Sequence, residues 1–120
     1  MKIEKEVEDA RGRIIFLSYD DKQVNMVEMR KGFSRGGHYH KAPTKHIVII
    51  GRIEYRGKYV DTEHEKIQVF LPNEIIDVPA NEAHLLTALE DSLFLEVFEK
   101  NYEATNFPEY RNIVESKIKN

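Results

Sequence analysis

Short stretches in which apolar and polar residues alternate make up most of the first hundred positions. In residues 23–29 (QVNMVEM), the apolar Val24 and Met26 alternate with the polar Gln23 and Asn25. Val24 and Met26 then lie on one face of a strand, and Asn25 and Val27 lie on the other. An alternation of period two is typical of a strand, whose successive side chains point to opposite faces of a sheet. The predicted strands are residues 13–19, 23–29, 38–40, 44–50, 52–56, 66–71, 74–78, 83–89 and 92–98.

Turn residues separate these strands at regular intervals, with Gly51 and Gly57 each predicted to end one. Such spacing predicts an all-β closed barrel or sandwich. The pattern changes after residue 100, where Pro108 can open a helix. Apolar residues then recur at an amphipathic spacing. We expect residues 1–100 to form a β-barrel and residues 101–120 a helical tail on the barrel or on a dimer partner. The apolar tail positions are Tyr110, Ile113, Val114 and Ile118.

Length and composition indicate one globular domain and argue against nucleic-acid and membrane partners. The 120 residues are 41% hydrophobic and 32% charged, with a net charge of −3, so neither disorder nor nucleic-acid binding is expected. There is no cysteine, which fits a reducing compartment. No apolar stretch is long enough to cross a membrane, and the charged N-terminus does not resemble a signal peptide. We therefore expect a cytoplasmic protein.

Three histidines supply the candidate chemistry. His38 and His40 occur in the run RGGHYHK at residues 35–41, and His84 follows a turn at residues 79–83. On a strand, residues two apart project from the same face. His38 and His40 therefore point into one space, which a third imidazole from another strand can join. This pattern predicts a polar pocket inside the barrel.

Two spaced motifs in residues 32–88 resemble those of the cupins. The first cupin motif has a glycine, His-x-His, a glutamate and a second glycine at set intervals, and the second has glycine, Pro-x-Gly and histidine. Asparagine stands at both glycine places of the second motif, where it tolerates the same left-handed backbone. The resemblance implies a cupin (double-stranded β-helix or jelly-roll) barrel with a short C-terminal helix. The matching positions are Gly32, His38, His40, Thr44 and Gly51, then Asn73, Pro79, Asn81 and His84.

A narrower resemblance points to small cupins that isomerise or epimerise nucleotide-linked keto-sugars. It comes from residues 9–12 (DARG) and from the run at residues 35–41. The resemblance implies that His38 and His40, with His84, perform acid–base chemistry on a sugar without a metal, since histidine titrates near neutral pH. Arg35 is the candidate for an anionic group of the substrate, and its alternative is an ion pair with surface acids.

A metal centre is the alternative use of the same residues. Cupins with a complete motif hold a divalent ion by three histidines and one glutamate, but Thr44 replaces the glutamate here and is a poor ligand. His46 lies two positions further along the same strand and should also face inward. His38, His40, His46 and His84 can then enclose zinc, nickel, copper, iron or manganese.

A third interpretation is a module that binds a sugar or other small molecule without converting it, as many short cupins do. The resemblance also implies a homodimer, because small cupins commonly pair through exchanged strands or barrel faces. All three interpretations place a small polar molecule in the histidine-lined pocket. They differ in whether a metal is present and whether the molecule is converted.

Overall fold

Two antiparallel sheets face each other in the computed structural model, which describes residues 1–99 and 103–119. The larger sheet has the strand order β1-β2-β3-β10-β5-β8, and the smaller sheet has the order β11-β4-β9-β6-β7. The elements are β1 (Lys2–Asp9), β2 (Gly12–Tyr19), β3 (Lys22–Met29), β4 (Ser34–His40), β5 (Thr44–Ile50), β6 (Ile53–Tyr59), β7 (Glu65–Phe70), β8 (Ile75–Val78), β9 (Glu82–Ala88), β10 (Ser92–Glu99), β11 (Ala104–Asn106) and α1 (Pro108–Lys119).

The inward-facing side chains of both sheets form the main hydrophobic core. Val27 and Phe94 from the larger sheet meet Tyr55 and Leu86 from the smaller one, and all four are buried. Burial of this kind is the dominant favourable contribution to folding. The predicted all-β fold is confirmed, and its core occupies the space between the sheets. The remaining buried members are Met29, Val48, Ile53, Ile76, Val78 and Ala88.

The helix α1 covers the outer face of the smaller sheet. It begins at Pro108, as the sequence predicts, and buries Tyr110 and Val114 against Ala83 and Leu85 of β9. Tyr39 packs at the edge of this second cluster, so it faces away from the two histidines beside it, as alternation along β4 requires. None of the helices in the described residues has the length and apolar character needed to cross a bilayer.

Three features of the sheets differ from the sequence-based prediction. The tail was predicted to be helical from residue 101, but Ala104–Asn106 form β11 beside β4. The strand β1 was not predicted, because all eight of its residues are exposed and no buried face leaves an apolar period in the sequence. Gly57 was predicted to be a turn, but β6 continues through it. A Cβ atom on Gly57 would lie 2.7 Å from the Tyr55 ring and 2.8 Å from the Glu82 carboxylate. Glycine at this position therefore leaves space for the buried side chains of Tyr55 and Glu82.

Candidate metal centre and its cavity

Three imidazoles converge on the inner face of the smaller sheet. His38 and His40 lie on β4, and His84 lies directly opposite His38 on β9. Their ring centroids are 4.7 Å apart for His38 and His40, 4.8 Å for His38 and His84, and 5.4 Å for His40 and His84. One nitrogen from each ring can be chosen so that all three lie within 4.8 Å of one another. The convergence expected from His-x-His is present.

Gly36 sets the distance between the two strands that hold these histidines. Its φ is +96°, and a Cβ atom there would lie 2.9 Å from the backbone oxygen of His84. The register between β4 and β9 shifts between Gly36 and His38. A bulge of this type bends a strand and redirects its side chains. Glycine at this position therefore allows His38 to lie opposite His84.

Backbone carbonyls orient two of the three rings. The Nδ1 atom of His40 lies 3.1 Å from the carbonyl oxygen of Glu103, and the Nδ1 atom of His84 lies 3.2 Å from that of Glu82. A carbonyl can only accept a hydrogen bond, so Nδ1 bears the proton in both rings. This leaves Nε2 unprotonated, which is the usual arrangement in metal-binding histidines. These residues are of the type that holds a divalent cation, and metal–imidazole bonds of about 2.0–2.1 Å would require the nitrogens, which lie within 4.8 Å of one another here, to move closer together.

Burial keeps the three imidazoles neutral. It lowers the pKa of His38 to about 3, and the neighbouring charges of His84, His40 and Arg111 add to the effect. Burial likewise lowers the pKa of His84 to about 3, and it lowers the pKa of His40. Neutral imidazole is the form that binds metals, whereas a general acid or base works best with a pKa near the operating pH.

The larger sheet contributes a carboxylate and a fourth histidine to the same interior. His46 on β5 is only 2% exposed and is paired in register with Glu96 on β10. Its Nδ1 atom lies 3.5 Å from Glu96 Oε2, but neither ring nitrogen has a hydrogen-bond partner among the described residues. Burial lowers the pKa of His46 to about 4 and raises that of Glu96. Because His46 is neutral, the contact is not an ion pair at neutral pH.

His46 lies next to the three-histidine group but is not part of it. Its ring centroid is 6.2 Å from that of His84 and 5.7 Å from that of Phe94. The hydroxyl of Thr44, on the same strand, is buried and has no hydrogen-bond partner among the described residues. His46 therefore faces inward, as alternation predicted. Its role as a fourth ligand stays a prediction.

A cavity of about 180 Å³ adjoins the histidines and contains three arginines. Arg35 is 7% exposed, and its Nη2 atom donates hydrogen bonds to the carbonyl oxygens of Gly12 at 3.3 Å and Glu28 at 3.1 Å. Its buried Nε has no hydrogen-bond partner among the described residues. Burial lowers the pKa of Arg35 to about 10, so the guanidinium remains charged at neutral pH. The polar residues that line the cavity are Arg11, Asn25, Arg35, His38, His84, Glu96 and Arg111.

Comparison with known proteins identifies the fold. No protein-family model matches the sequence, and no curated protein matches it. Among solved structures, a cupin superfamily protein from Desulfitobacterium hafniense aligns with a TM-score of 0.61 and 14% identity, over 82% of this chain and 81% of the other. The chain has the cupin fold.

Parts of two longer proteins align with higher TM-scores. CapF from Staphylococcus aureus, a capsular polysaccharide assembling protein, has a TM-score of 0.74 and 19% identity, over 85% of this chain and 31% of CapF. Oxalate decarboxylase from Lactobacillus farciminis has a TM-score of 0.73 and 18% identity, over 88% of this chain and 34% of the enzyme. The chain thus spans about a third of the length of those two proteins. At such identities the likeness extends to the fold alone, since one fold supports many functions.

The structure explains how the chain departs from the second cupin motif and adds residues that the sequence did not single out. Asn73 and Asn81 have φ values of 74° and 65°, so asparagine does take the left-handed backbone expected at the two glycine places. Glu96 was not predicted as a site residue, although it is a polar residue between the inward-facing Phe94 and Phe98. Arg111 was not predicted either, because its place in the cavity depends on how α1 docks.

The neutral histidines make the stability of the metal-free protein depend on pH. An imidazole in the unfolded chain has a pKa of about 6.5. Below that pH the unfolded chain binds protons that the folded chain does not, until the low pKa values of His38, His46 and His84 are reached. The free energy of unfolding therefore falls as the pH falls from 6.5 towards 3. The expected slope is about 1.4 kcal/mol per pH unit for each neutral imidazole.

Urea denaturation of chelator-treated protein at pH 7.5, 6 and 5 measures this slope. The raised pKa of Glu96 acts in the opposite direction, but it is a single group against three. In His46→Phe the slope should be shallower by about 1.4 kcal/mol per pH unit, because one buried imidazole is removed. Equal stability at pH 7.5 and pH 5 would show that the imidazoles can be protonated in the folded state.

Proposed function

We propose that this cupin binds one divalent cation through His38, His40 and His84 and acts as an enzyme on a small polar molecule in the adjoining cavity. The observation that supports this best is that one nitrogen from each ring lies within 4.8 Å of the other two. The carbonyl contacts of His40 and His84, which leave Nε2 unprotonated, give further support. A cation held there would polarise an oxygen of the bound molecule as a Lewis acid.

The donor set limits the choice of metal. Imidazole suits zinc, copper, iron and nickel. Manganese is a further candidate, because the structurally similar oxalate decarboxylase of Bacillus subtilis has Mn(II) centres. Three neutral imidazoles add no negative charge, so the cation keeps its full charge. The centre should therefore favour an anionic ligand or hydroxide in the remaining positions.

The cavity favours a small substrate. Its volume of about 180 Å³ lies below the roughly 300–1,000 Å³ of pockets for drug-sized ligands. A sugar or an organic acid fits, whereas a nucleotide attached to a sugar would have to extend outside. We assign Arg35 to an anionic group of the substrate, because this buried cation lines the cavity and its hydrogen-bond partners among the described residues are backbone carbonyl oxygens rather than a carboxylate.

Elemental analysis of protein purified without an affinity tag tests the proposal. Near one equivalent of a transition metal per chain, retained on dialysis, is the expected result. Removal by a chelator should lower the melting temperature, because a ligand that binds only the folded state stabilises it. Sub-stoichiometric metal that dialyses away, with no stabilisation by added zinc, manganese or nickel, would rule the centre out.

A metal-free isomerase or epimerase acting on a sugar, free or nucleotide-linked, is the second candidate function. It is favoured by the position of Glu96, which lines the same cavity as His38 and His84 but comes from the opposite sheet. Groups on two sides of a substrate can remove a proton at one carbon and return it at another. Proton exchange at a keto-sugar carbon in heavy water, unaffected by strong chelators and lost in His40→Ala, is the expected behaviour. Exchange that a chelator abolishes would favour the metal enzyme instead.

We also propose that the protein is a homodimer. The edge strand β1 exposes every residue, with Ile3 67% and Val7 44% exposed. Natural proteins usually cover or pair such an edge. Size-exclusion chromatography with light scattering should give twice the 14.1 kDa mass of the chain, and a monomer at micromolar concentration would contradict the proposal.

A further inference from the structure

We propose that Arg111 on α1 and Arg35 on β4 together bind the carboxylate of a small organic acid, so that the C-terminal helix completes the site. This inference rests on the proposed function and goes beyond it by naming the substrate class. It depends on four observations: the unpaired charge of Arg35, the position of Arg111, the contact that seats the helix, and the charge balance of the cavity.

Arg35 is a buried cation that Asp9, Glu96 and Glu28 stabilise only from a distance. No carboxylate among the described residues forms an ion pair with it, and its partners are two backbone carbonyl oxygens. A buried charge is costly unless it is paired. The side chain lines the cavity, and its Nε remains without a partner. An anion bound in the cavity would compensate this charge.

Arg111 reaches the same cavity from the outer helix. Its Nη1 atom donates a hydrogen bond to the carbonyl oxygen of Gly36 at 3.1 Å, and its Nε contacts Glu115 at 3.2 Å. Gly36 is the residue that adjoins His84 across the strand pair. The guanidinium therefore lies between α1 and the strand that bears the histidines, and it lines the cavity together with Arg35.

Gly37 allows the helix to approach closely enough for this contact. A Cβ atom on Gly37 would lie 2.6 Å from the Cα atom and 2.8 Å from the backbone nitrogen of Arg111. Its φ of +77° is also one that other residues rarely adopt. The two successive glycines thus have separate roles, because Gly36 positions His84 and Gly37 positions Arg111.

The charges around the cavity favour a monoanion. Arg11 is paired with Asp9, its Nη2 atom lying 2.7 Å from Asp9 Oδ2, and Arg111 is paired with Glu115. Arg35 has no such direct ion pair among the described residues, and Glu96, the one carboxylate of the lining, acts on it only from a distance. A guanidinium binds a planar carboxylate through two parallel hydrogen bonds. In a cavity of about 180 Å³, the carboxylate belongs to a small acid.

Isothermal titration with glycolate, acetate, inorganic phosphate and glycerol tests the inference. Metal-loaded and chelator-treated protein should be titrated for the wild type and for Arg35→Gln, Arg111→Gln, Arg111→Lys and Arg52→Gln. Glycolate is expected to bind, and Arg35→Gln and Arg111→Gln should each weaken it by about 10- to 100-fold, as loss of one charged hydrogen-bonding partner does. Arg111→Lys keeps the positive charge and should recover part of the affinity. Arg52 is outside the cavity lining, so Arg52→Gln should bind like the wild type.

The metal content and circular dichroism of each variant separate the possible failures. An unchanged metal content with weaker glycolate binding supports the assignment of both arginines. Wild-type affinity in Arg111→Gln would overturn the role of the helix, and tighter binding of phosphate than of either carboxylate would overturn the substrate class. If the protein takes up no metal on loading but still binds glycolate in an arginine-dependent way, this inference stands and the proposed metal centre is ruled out. If Arg111→Gln does not fold, Arg111→Lys is compared with the wild type. Weaker glycolate binding in Arg111→Lys supports the role of Arg111, and equal binding overturns it.

Discussion

His84→Ala is expected to weaken divalent-metal binding by more than about 100-fold, since loss of a residue that merely supports a metal ligand costs 10- to 100-fold. His84 is 2% exposed, lies opposite His38 and is the one member of the group that comes from β9. Its removal leaves two imidazoles from a single strand. Competition titration with a metallochromic indicator measures the change, and His38→Ala and His40→Ala should behave in the same way.

Two other histidines serve as controls for this result. His64 lies in the exposed segment after β6, so His64→Ala should keep the wild-type affinity. His46→Phe should also keep it, because His46 lies outside the three-histidine group, and a loss of affinity there would identify His46 as a fourth ligand. Wild-type affinity in His84→Ala would contradict the proposed centre.

Gly37→Ala should destabilise the fold by several kcal/mol and loosen α1. The left-handed backbone costs a residue other than glycine about 1–2 kcal/mol, and forcing a Cβ atom against the backbone of Arg111 adds about 1–3 kcal/mol of overpacking. Urea denaturation gives the free energy of unfolding. Limited proteolysis reports whether the segment after residue 103 separates from the sheet.

Gly32→Ala is the matched control for Gly37→Ala. Gly32 also has a positive φ, of +91°, but nothing lies within 4 Å of a Cβ atom built there. It should therefore lose only the backbone contribution of about 1–2 kcal/mol. The difference between the two variants isolates the contact between β4 and α1. Equal losses would show that the helix does not press on Gly37.

The parts of the fold that the sequence could predict are those set by local periodicity. Strands with one buried face, such as β3 (Lys22–Met29), leave an alternating pattern. The convergence of His38 and His40 follows from strand geometry alone. Asn73 and Asn81 could be assigned a left-handed backbone because few residues other than glycine tolerate it. In each case the conformation or side-chain direction depends on the residue itself and its neighbours in the sequence.

The remaining features depend on contacts between segments far apart in the sequence. The strand β1 has no buried face and therefore no pattern. Glu96 enters the interior because β10 lies between β3 and β5 in the sheet, an order that local sequence does not set. Arg111 joins the cavity because α1 docks on β4, with the contact made possible at Gly37. The sequence thus predicted the histidines and Arg35 but not Glu96 and Arg111.

X-ray absorption spectroscopy of the zinc-loaded protein tests the central claim most directly. If His38, His40 and His84 hold the cation, the spectrum should show three imidazole ligands with zinc–nitrogen distances of about 2.0–2.1 Å. The His84→Ala protein, loaded in the same way, should lose one of them. A shell of water oxygens without imidazole scattering would contradict the account.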